Sequence, residues 1–168
     1  MKFSVNQKDL QQSLGFCQGV IEKRSTLPIL SNILLEAYNS KLKITATDLD
    51  LIFINEINDV EVIEEGKTTT TSSTLYDIIR KFSSGKKINF NLTTENKIQL
   101  ESEKSVFNLN CMSADEFPLM EENFTENEFV LKSKQFLKLL SKCKFSISTD
   151  ETRPVSYTHL RAHETREY

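Results

Sequence analysis

The sequence is poor in the residues that most metal sites and catalytic centres need. Its 168 residues include two histidines, His159 and His163, and both lie within the last ten positions. The sequence before them has no histidine, no tryptophan and no CxxC pair, which excludes most zinc sites, Ser-His-Asp triads and Cys-His pairs. The three cysteines are too few, and odd in number, for a disulfide scaffold.

Long apolar runs are missing too. No segment reaches the roughly 20 apolar residues that a membrane-spanning helix needs, and the opening MKFSVNQKDL lacks the apolar core of a signal peptide. The net charge is −3, with 38% hydrophobic and 27% charged residues, a composition that supports a folded core. We therefore expect a soluble, cytoplasmic protein with one full domain and part of a second.

The chain up to Met112 repeats one order of predicted elements. MKFSV predicts a strand, Asn6 predicts a helix cap, and apolar residues at helical spacing follow. From Gly66 a Thr-rich strand and a second amphipathic helix come in the same order. Three strand-like runs follow each helix: LPILSNILLEAY, KLKITATD and LDLIFINEINDVEV, then KINFNL, NKIQLES and SVFNLNCM. We predict an α+β domain made of two β-α-β-β-β units, with helices on one face of antiparallel sheets.

A further copy of the opening segment begins near Asn127. MKFSVNQKDLQQSLGFCQGVI and NEFVLKSKQFLKLLSKCKFSI match at seven positions with a constant offset of 126, and Cys17 matches Cys143. Any two amphipathic strand–helix segments resemble each other, but a constant register that includes a cysteine favours a true repeat. The second domain of the same kind is therefore expected to begin here.

These patterns predict where the domains divide. We expect a complete domain over 1–121, a linker over 122–127 and the start of a second domain over 128–153. The segment 154–168, PVSYTHLRAHETREY, has no strand alternation and contains both histidines, so it resembles translated adapter sequence more than the alternative, a native variable tail, and is not expected to belong to the fold. The chain is thus interpreted as a fragment.

Basic residues concentrate on the predicted helices. The segment 132–144 has five lysines and no acid, and Lys134, Lys138 and Lys142 fall on the side away from its apolar residues; these three are called the lysine stripe. Such helices could contact the phosphates of a nucleic acid without reading its sequence, or could simply be solvated. In the first domain, Lys8 lies on the exposed side of the first helix, and Lys23 and Arg24 lie just past its end. Arg80 and Lys81 lie opposite the apolar side of the second helix, and Lys86 and Lys87 follow it.

Two other functions remain open from the residues alone. Asp48 and Asp50, two apart on a predicted strand, could hold Mg²⁺. The sequence offers no phosphate-binding Gly loop and no nearby third ligand, so a solvated turn at the strand end explains them better. The strand Val106 to Cys111 could recruit a protein partner by edge pairing, with no role in DNA binding. No catalytic set, metal site or cofactor is predicted otherwise.

Four segments together resemble a known family. They are MKF at the start, RSTLPILSNILLE from Arg24, TATDLD from Thr45, and FNLNCMSADEFP from Phe107. In these segments the chain resembles the bacterial sliding clamp, the β subunit of DNA polymerase III, and the resemblance stops at Pro154. It implies a non-catalytic processivity factor: a homodimeric ring of three-domain subunits that encircles duplex DNA, with helices lining the channel, and tethers the replicative polymerase.

The resemblance also implies roles for individual residues. Arg24 and Arg80 match DNA-contacting positions, and about Thr149 a second DNA loop is expected. The edge strand with Phe107 and Leu109, with Lys104 beside it, matches the contact to the partner subunit. The pocket that takes peptides of the polymerase and the clamp loader lies between the second and third domains, outside this chain. The full predicted DNA-binding set is Lys23, Arg24, Arg80, Lys81, Lys134, Lys138, Lys142 and Thr149.

Overall fold

The computed structural model describes residues 1–21, 27–93, 96–119 and 130–144. It divides into two compact units, 1–121 and 122–168. The described helices are α1 (Gln7–Cys17), α2 (Ser72–Ile79) and α3 (Ser133–Cys143). The described strands are β1 (Lys2–Asn6), β2 (Asn32–Tyr38), β3 (Lys41–Thr47), β4 (Ile52–Ile57), β5 (Glu61–Glu64), β6 (Gly66–Thr71), β7 (Lys87–Thr93), β8 (Lys97–Ser102) and β9 (Ser105–Met112).

The sheet of the first unit is built from two like halves that exchange strands. Its order is β4-β3-β2-β6-β9-β8-β7-β1-β5, and all pairings are antiparallel. The run β4-β3-β2-β6 therefore repeats as β9-β8-β7-β1. Each half contributes its first strand to the meander of the other half, since β1 pairs with β7 and β6 pairs with β2. The predicted α+β class, with two repeated units, is confirmed.

One predicted strand is wrong in detail. LDLIFINEINDVEV was expected to be continuous, but it is broken into β4, which pairs with β3, and β5, which pairs with β1. Asp59, in the break, has a φ of 59°, a left-handed conformation that Asp and Asn tolerate. In the second half the corresponding strand, β9, is continuous. It pairs with β8 up to Asn110, and its last residues, Cys111 and Met112, pair with β6.

The helices of the first unit cover one core and lie antiparallel. Leu10, Leu14 and Cys17 of α1 are fully buried, as the spacing predicts, and the Asn6 side chain caps the helix by accepting from the Lys8 amide at 2.9 Å. At the start of α1 the Gln7 side chain donates to the Ile79 carbonyl, which ends α2, at 2.9 Å. Within the described ranges, no helix is long and apolar enough to cross a membrane.

The opposite helix ends meet as well. The Gln18 side chain, at the end of α1, donates to the Ser72 hydroxyl, which begins α2, at 2.8 Å. Start-to-end contacts at both places fix the helices side by side in opposite directions. Because their apolar sides are buried, the polar residues between the buried positions point to solvent. The helices therefore present one shared polar surface.

Candidate nucleic-acid interface

The polar surface of α1 and α2 carries few charges, and most of them are basic. We call it the helix face, formed by Lys8, Gln12, Asp77, Arg80 and Lys81, all of them exposed. A shallow groove runs along the contact of the two helices, where Gly15 of α1 faces the Tyr76 ring of α2; a Cβ on Gly15 would lie at an ordinary 3.9 Å from that ring. A weakly basic surface of this kind can lie along a phosphate backbone.

The lysines of the sheet differ from those of the helices in their partners. Across the strands, lysines pair with acids, and two of these pairs change titration. The hydrogen bond with Glu56 raises the pKa of Lys41 and lowers the pKa of Glu56, and the hydrogen bond with Asp115 raises the pKa of Lys67. The ion pairs of the strand lysines are Lys41–Glu56 at 3.0 Å, Lys43–Glu36 at 3.6 Å, Lys67–Asp115 at 2.6 Å and Lys87–Glu61 at 3.1 Å. Lys86, in the turn before β7, lies 3.5 Å from Glu103, so the two lysines expected to add to the basic helix side are both paired with acids.

In the described part of the chain, Lys8, Lys81 and the lysine stripe have no such partners. Among residues 1–21, 27–93, 96–119 and 130–144, no acid lies within ion-pair distance of Lys8 or Lys81, nor of the lysine stripe. An unpaired surface ammonium keeps its full field for an incoming anion, whereas a paired one must first leave its carboxylate. The helix residues are therefore the better candidates for phosphate contacts.

Arg80 is the exception on the helix face. Its Nη2 lies 3.4 Å from Asp77 Oδ1, one helical turn earlier, and its guanidinium stands 5.8 Å from the centroid of the Tyr76 ring. Both charged side chains remain more than half exposed. The predictions from sequence missed Asp77 and Tyr76, although their positions three and four residues before Arg80 on a helix are the spacing at which side chains meet.

The lysine stripe lies on α3 as predicted. Lys134, Lys138 and Lys142 are exposed, and the helix spans Ser133–Cys143. On its other side Phe136 is 48% exposed and Leu140 is 50% exposed, so these apolar side chains lack the cover that the matching residues of α1 have. The predicted sites Lys23, Arg24 and Thr149 lie outside the described residues.

The predicted subunit edge is partly engaged within the domain. Lys104 lies in the exposed turn before β9, and Phe107 is 39% exposed. The Phe107 ring packs edge-on against Phe82 at 5.7 Å, and Leu109 packs against the core. In the described sheet, β9 pairs with β8 up to Asn110 and reaches β6 only with its last residues, so the other side of its first part is open. This edge can accept another strand.

The proposed magnesium pair does not hold up. Asp48 and Asp50 lie in the turn between β3 and β4, not on a strand, and Asp48 Oδ1 accepts from the amides of Asp50 at 3.0 Å and Leu51 at 2.6 Å. This carboxylate closes the turn on itself. No group of three or more His, Cys, Asp or Glu residues able to hold a metal occurs in the part of the chain that the structure describes.

Comparison with known proteins agrees with the fold. Residues 1–121 match the family model of the DNA polymerase III beta subunit, N-terminal domain. The chain is 34% identical over 154 residues to the beta sliding clamp of Caulobacter vibrioides, covering 91% of this chain and 41% of that protein. It is 31% identical over 153 residues to the beta sliding clamp of Escherichia coli strain K12, covering 91% of this chain and 42% of that protein.

Solved structures give the same result. A crystal structure of the Caulobacter crescentus beta sliding clamp matches with a TM-score of 0.86 and 34% identity, over 91% of this chain and 41% of that one. The DNA polymerase III subunit beta of Pseudomonas aeruginosa matches with a TM-score of 0.83 and 27% identity, over 91% and 41%. The chain thus spans about two fifths of the length of these relatives. The family match over 1–121 shows that the chain belongs to the DNA polymerase III beta subunit, or sliding clamp, family.

Proposed function

We propose that the chain forms part of a non-catalytic, ring-shaped sliding clamp that encircles duplex DNA without sequence specificity and tethers the replicative polymerase. Membership of the sliding clamp family supports this function. The observation that carries the DNA-binding part is a difference between lysines: four on the strands, Lys41, Lys43, Lys67 and Lys87, are paired with acids, whereas within the described residues Lys8, Lys81 and the lysine stripe are not. The similarity to sliding clamps does not favour the alternative function, a module that binds a protein partner through its edge strand and does not bind DNA.

The proposed contacts are weak and do not read bases. Lys8, Lys81 and the lysine stripe would contact phosphates, and the outer residues of α1 and α2 add neutral side chains such as Gln12, Ser73 and Thr74. Phosphate contacts position a protein on DNA but carry no sequence information. Retention of the whole protein would come from the closed ring, so that the contacts need only guide it along the duplex.

The ring itself is proposed to close through the open part of β9. Lys104, Phe107 and Leu109 would meet the partner subunit of a homodimer, and backbone pairing along Ser105 to Asn110 would extend the sheet across the contact. The polymerase and the clamp loader would bind elsewhere on the whole protein. Lys23, Arg24 and Thr149 remain part of the proposed DNA contact.

Two measurements on the full-length protein test this function separately. Loaded onto a nicked circular plasmid, the protein should co-elute with the DNA in gel filtration and should be released when the plasmid is cut to a linear form. Equal release from circular and linear DNA would contradict a ring. Binding to a short linear duplex, followed by fluorescence anisotropy over rising NaCl, reports the contacts themselves.

Neutralising lysines distinguishes contacts made by the helices from an effect of the protein's net charge. K138Q/K142Q should weaken duplex binding and reduce the slope of log K against log salt by about 0.9 for each phosphate that the variant no longer neutralises. The matched control K41Q/K87Q removes the same charge from paired lysines of the sheet and should leave the slope unchanged. An equal loss in both variants would show that net charge, not the helix surface, governs binding.

A further inference from the structure

The pairing of Arg80 sets it apart from the lysines of the helices. Asp77 Oδ1 lies 3.4 Å from Arg80 Nη2, and the Tyr76 ring lies 5.8 Å from the guanidinium carbon on another side. The side chains of Asp77 and Arg80 are 60% and 58% exposed, so a large anion can reach the pair from solvent. A carboxylate and a phosphate oxygen use the same fork of guanidinium N–H donors.

We propose that Asp77 competes with DNA phosphate for the Arg80 guanidinium and thereby weakens the hold of α2 on the duplex. This inference rests on the proposed function and adds a regulating residue to it. In the free protein the Asp77 carboxylate is paired with the Arg80 guanidinium. On DNA the guanidinium turns to a phosphate, and it returns to Asp77 when that phosphate moves on. The Asp77 carboxylate thus pairs with Arg80 during the intervals in which no phosphate does.

Helix stability does not account for an acid at position 77. Asp77 lies in the last turn of α2, which ends at Ile79, and the partial negative charge of a helix C-terminus disfavours a carboxylate there. Asp is also a poor helix former. Its favourable contact on the helix is the ion pair with Arg80, and an exposed pair at this spacing adds little to folding.

The weakness of the pair suits the proposed exchange. Exposed ion pairs shift an equilibrium by about fivefold at most. A phosphate on duplex DNA acts together with its neighbours and can displace a single carboxylate held that loosely. A buried, bidentate pair would instead withhold Arg80 from DNA, and an unpaired arginine would bind the phosphate longer.

The test uses the full-length protein and a short linear duplex over rising NaCl. D77N, which keeps the shape of the side chain, should tighten binding by about two- to fivefold, equivalent to about 0.5–1 kcal/mol of ion-pair energy. The slope of log K against log salt should steepen by up to about 0.9, because Arg80 then neutralises a phosphate fully. D77S should give the same gain, which excludes a special effect of the asparagine.

The matched control is Asp9→Asn. Asp9 is an exposed acid on α1, and no ion pair to it occurs among the described residues, so D9N changes the net charge by the same amount without freeing an arginine. D77N should tighten binding more than D9N. In the R80Q background the gain from D77N should fall to that of D9N.

The outcomes separate this inference from the proposed function. If R80Q weakens binding and D77N gains no more than D9N, the competition is wrong while the DNA contact stands. If R80Q leaves binding unchanged, Arg80 does not meet the duplex and the inference is overturned. K138Q/K142Q then still reports whether the helices bind DNA at all.

Discussion

Gly66 offers the sharpest test of the packing between the chain start and the sheet. A Cβ at this position would lie 2.9 Å from Met1 Cβ, closer than side chains pack, and the residue has a φ of 159°. Met1 cannot easily move away. It is buried, its carbonyl accepts from the Leu92 amide at 2.9 Å, and its amino group pairs with Glu64 at 3.0 Å.

The size of the effect follows from two opposing contributions. Overpacking in a well-fixed site costs about 1–3 kcal/mol, whereas replacing glycine with alanine restricts the unfolded chain and restores about 0.4–1 kcal/mol. G66A should therefore lower the free energy of unfolding by about 1–2 kcal/mol. At about 4 °C per kcal/mol for a domain of this size, its Tm should fall by roughly 4–8 °C.

Two other glycines serve as controls in thermal unfolding followed by circular dichroism. G19A meets its nearest atom, the Phe16 carbonyl oxygen, at an ordinary 3.5 Å and should keep or raise the Tm. G85A meets nothing within 4 Å but has a φ of 80°, so it should lose stability through its backbone alone. A G66A variant as stable as the parent, or a G19A variant that loses as much, would refute the reasoning.

Three further outcomes are expected. Burial raises the pKa of the Cys17 thiol from 9.0 to about 12. The folded state therefore favours the neutral thiol, and this contribution to stability is complete below pH 9. Between pH 9 and 12 the free energy of unfolding should fall by about 1.4 kcal/mol per pH unit. Denaturation of C17A over that range should show a shallower loss, and equal slopes would contradict the assignment. D48A should lower the free energy of unfolding by about 1 kcal/mol because it removes the hydrogen bonds of the turn, whereas D48N, which keeps an acceptor, should remain as stable as the parent. If calorimetry showed that the parent binds Mg²⁺ and that D48N does not, the metal hypothesis would be restored. F107A should remove the ring packing against Phe82 and lower the free energy of unfolding by about 0.5–1.5 kcal/mol beyond the loss of buried apolar area. It should also weaken dimerisation of the full-length protein in analytical ultracentrifugation. An unchanged dimer would show that Phe107 does not belong to the subunit contact.

The helices could be predicted from the sequence because their signals are local. The spacing of Leu10, Leu14 and Cys17 and the cap at Asn6 involve residues within a few positions of each other. The same holds for the lysine stripe, whose place on one side of α3 follows from helical spacing alone. The break at Asp59 also had a local signal, the adjacent Asn58, but the alternating apolar residues on both sides outweighed it.

Other features depend on strand register, which the sequence does not reveal. Thr69 and Thr70 read only as strand-formers, yet both are fully buried, and their hydroxyls donate to the Met112 carbonyl at 3.1 Å and the Asn110 carbonyl at 3.3 Å. These bonds exist because β9 crosses from β8 to β6 at that point. The pairing of Lys41 with an acid fifteen residues away likewise requires the β3–β4 register.

The exchange of first strands between the halves has a consequence for the origin and assembly of the domain. Neither half can complete its own meander, since β1 and β6 each lie in the other half of the sheet. This arrangement is that of a domain-swapped dimer of identical halves joined into one chain. A peptide cut at the β5–β6 junction should accordingly yield two pieces that stay unstructured alone and regain the domain when mixed.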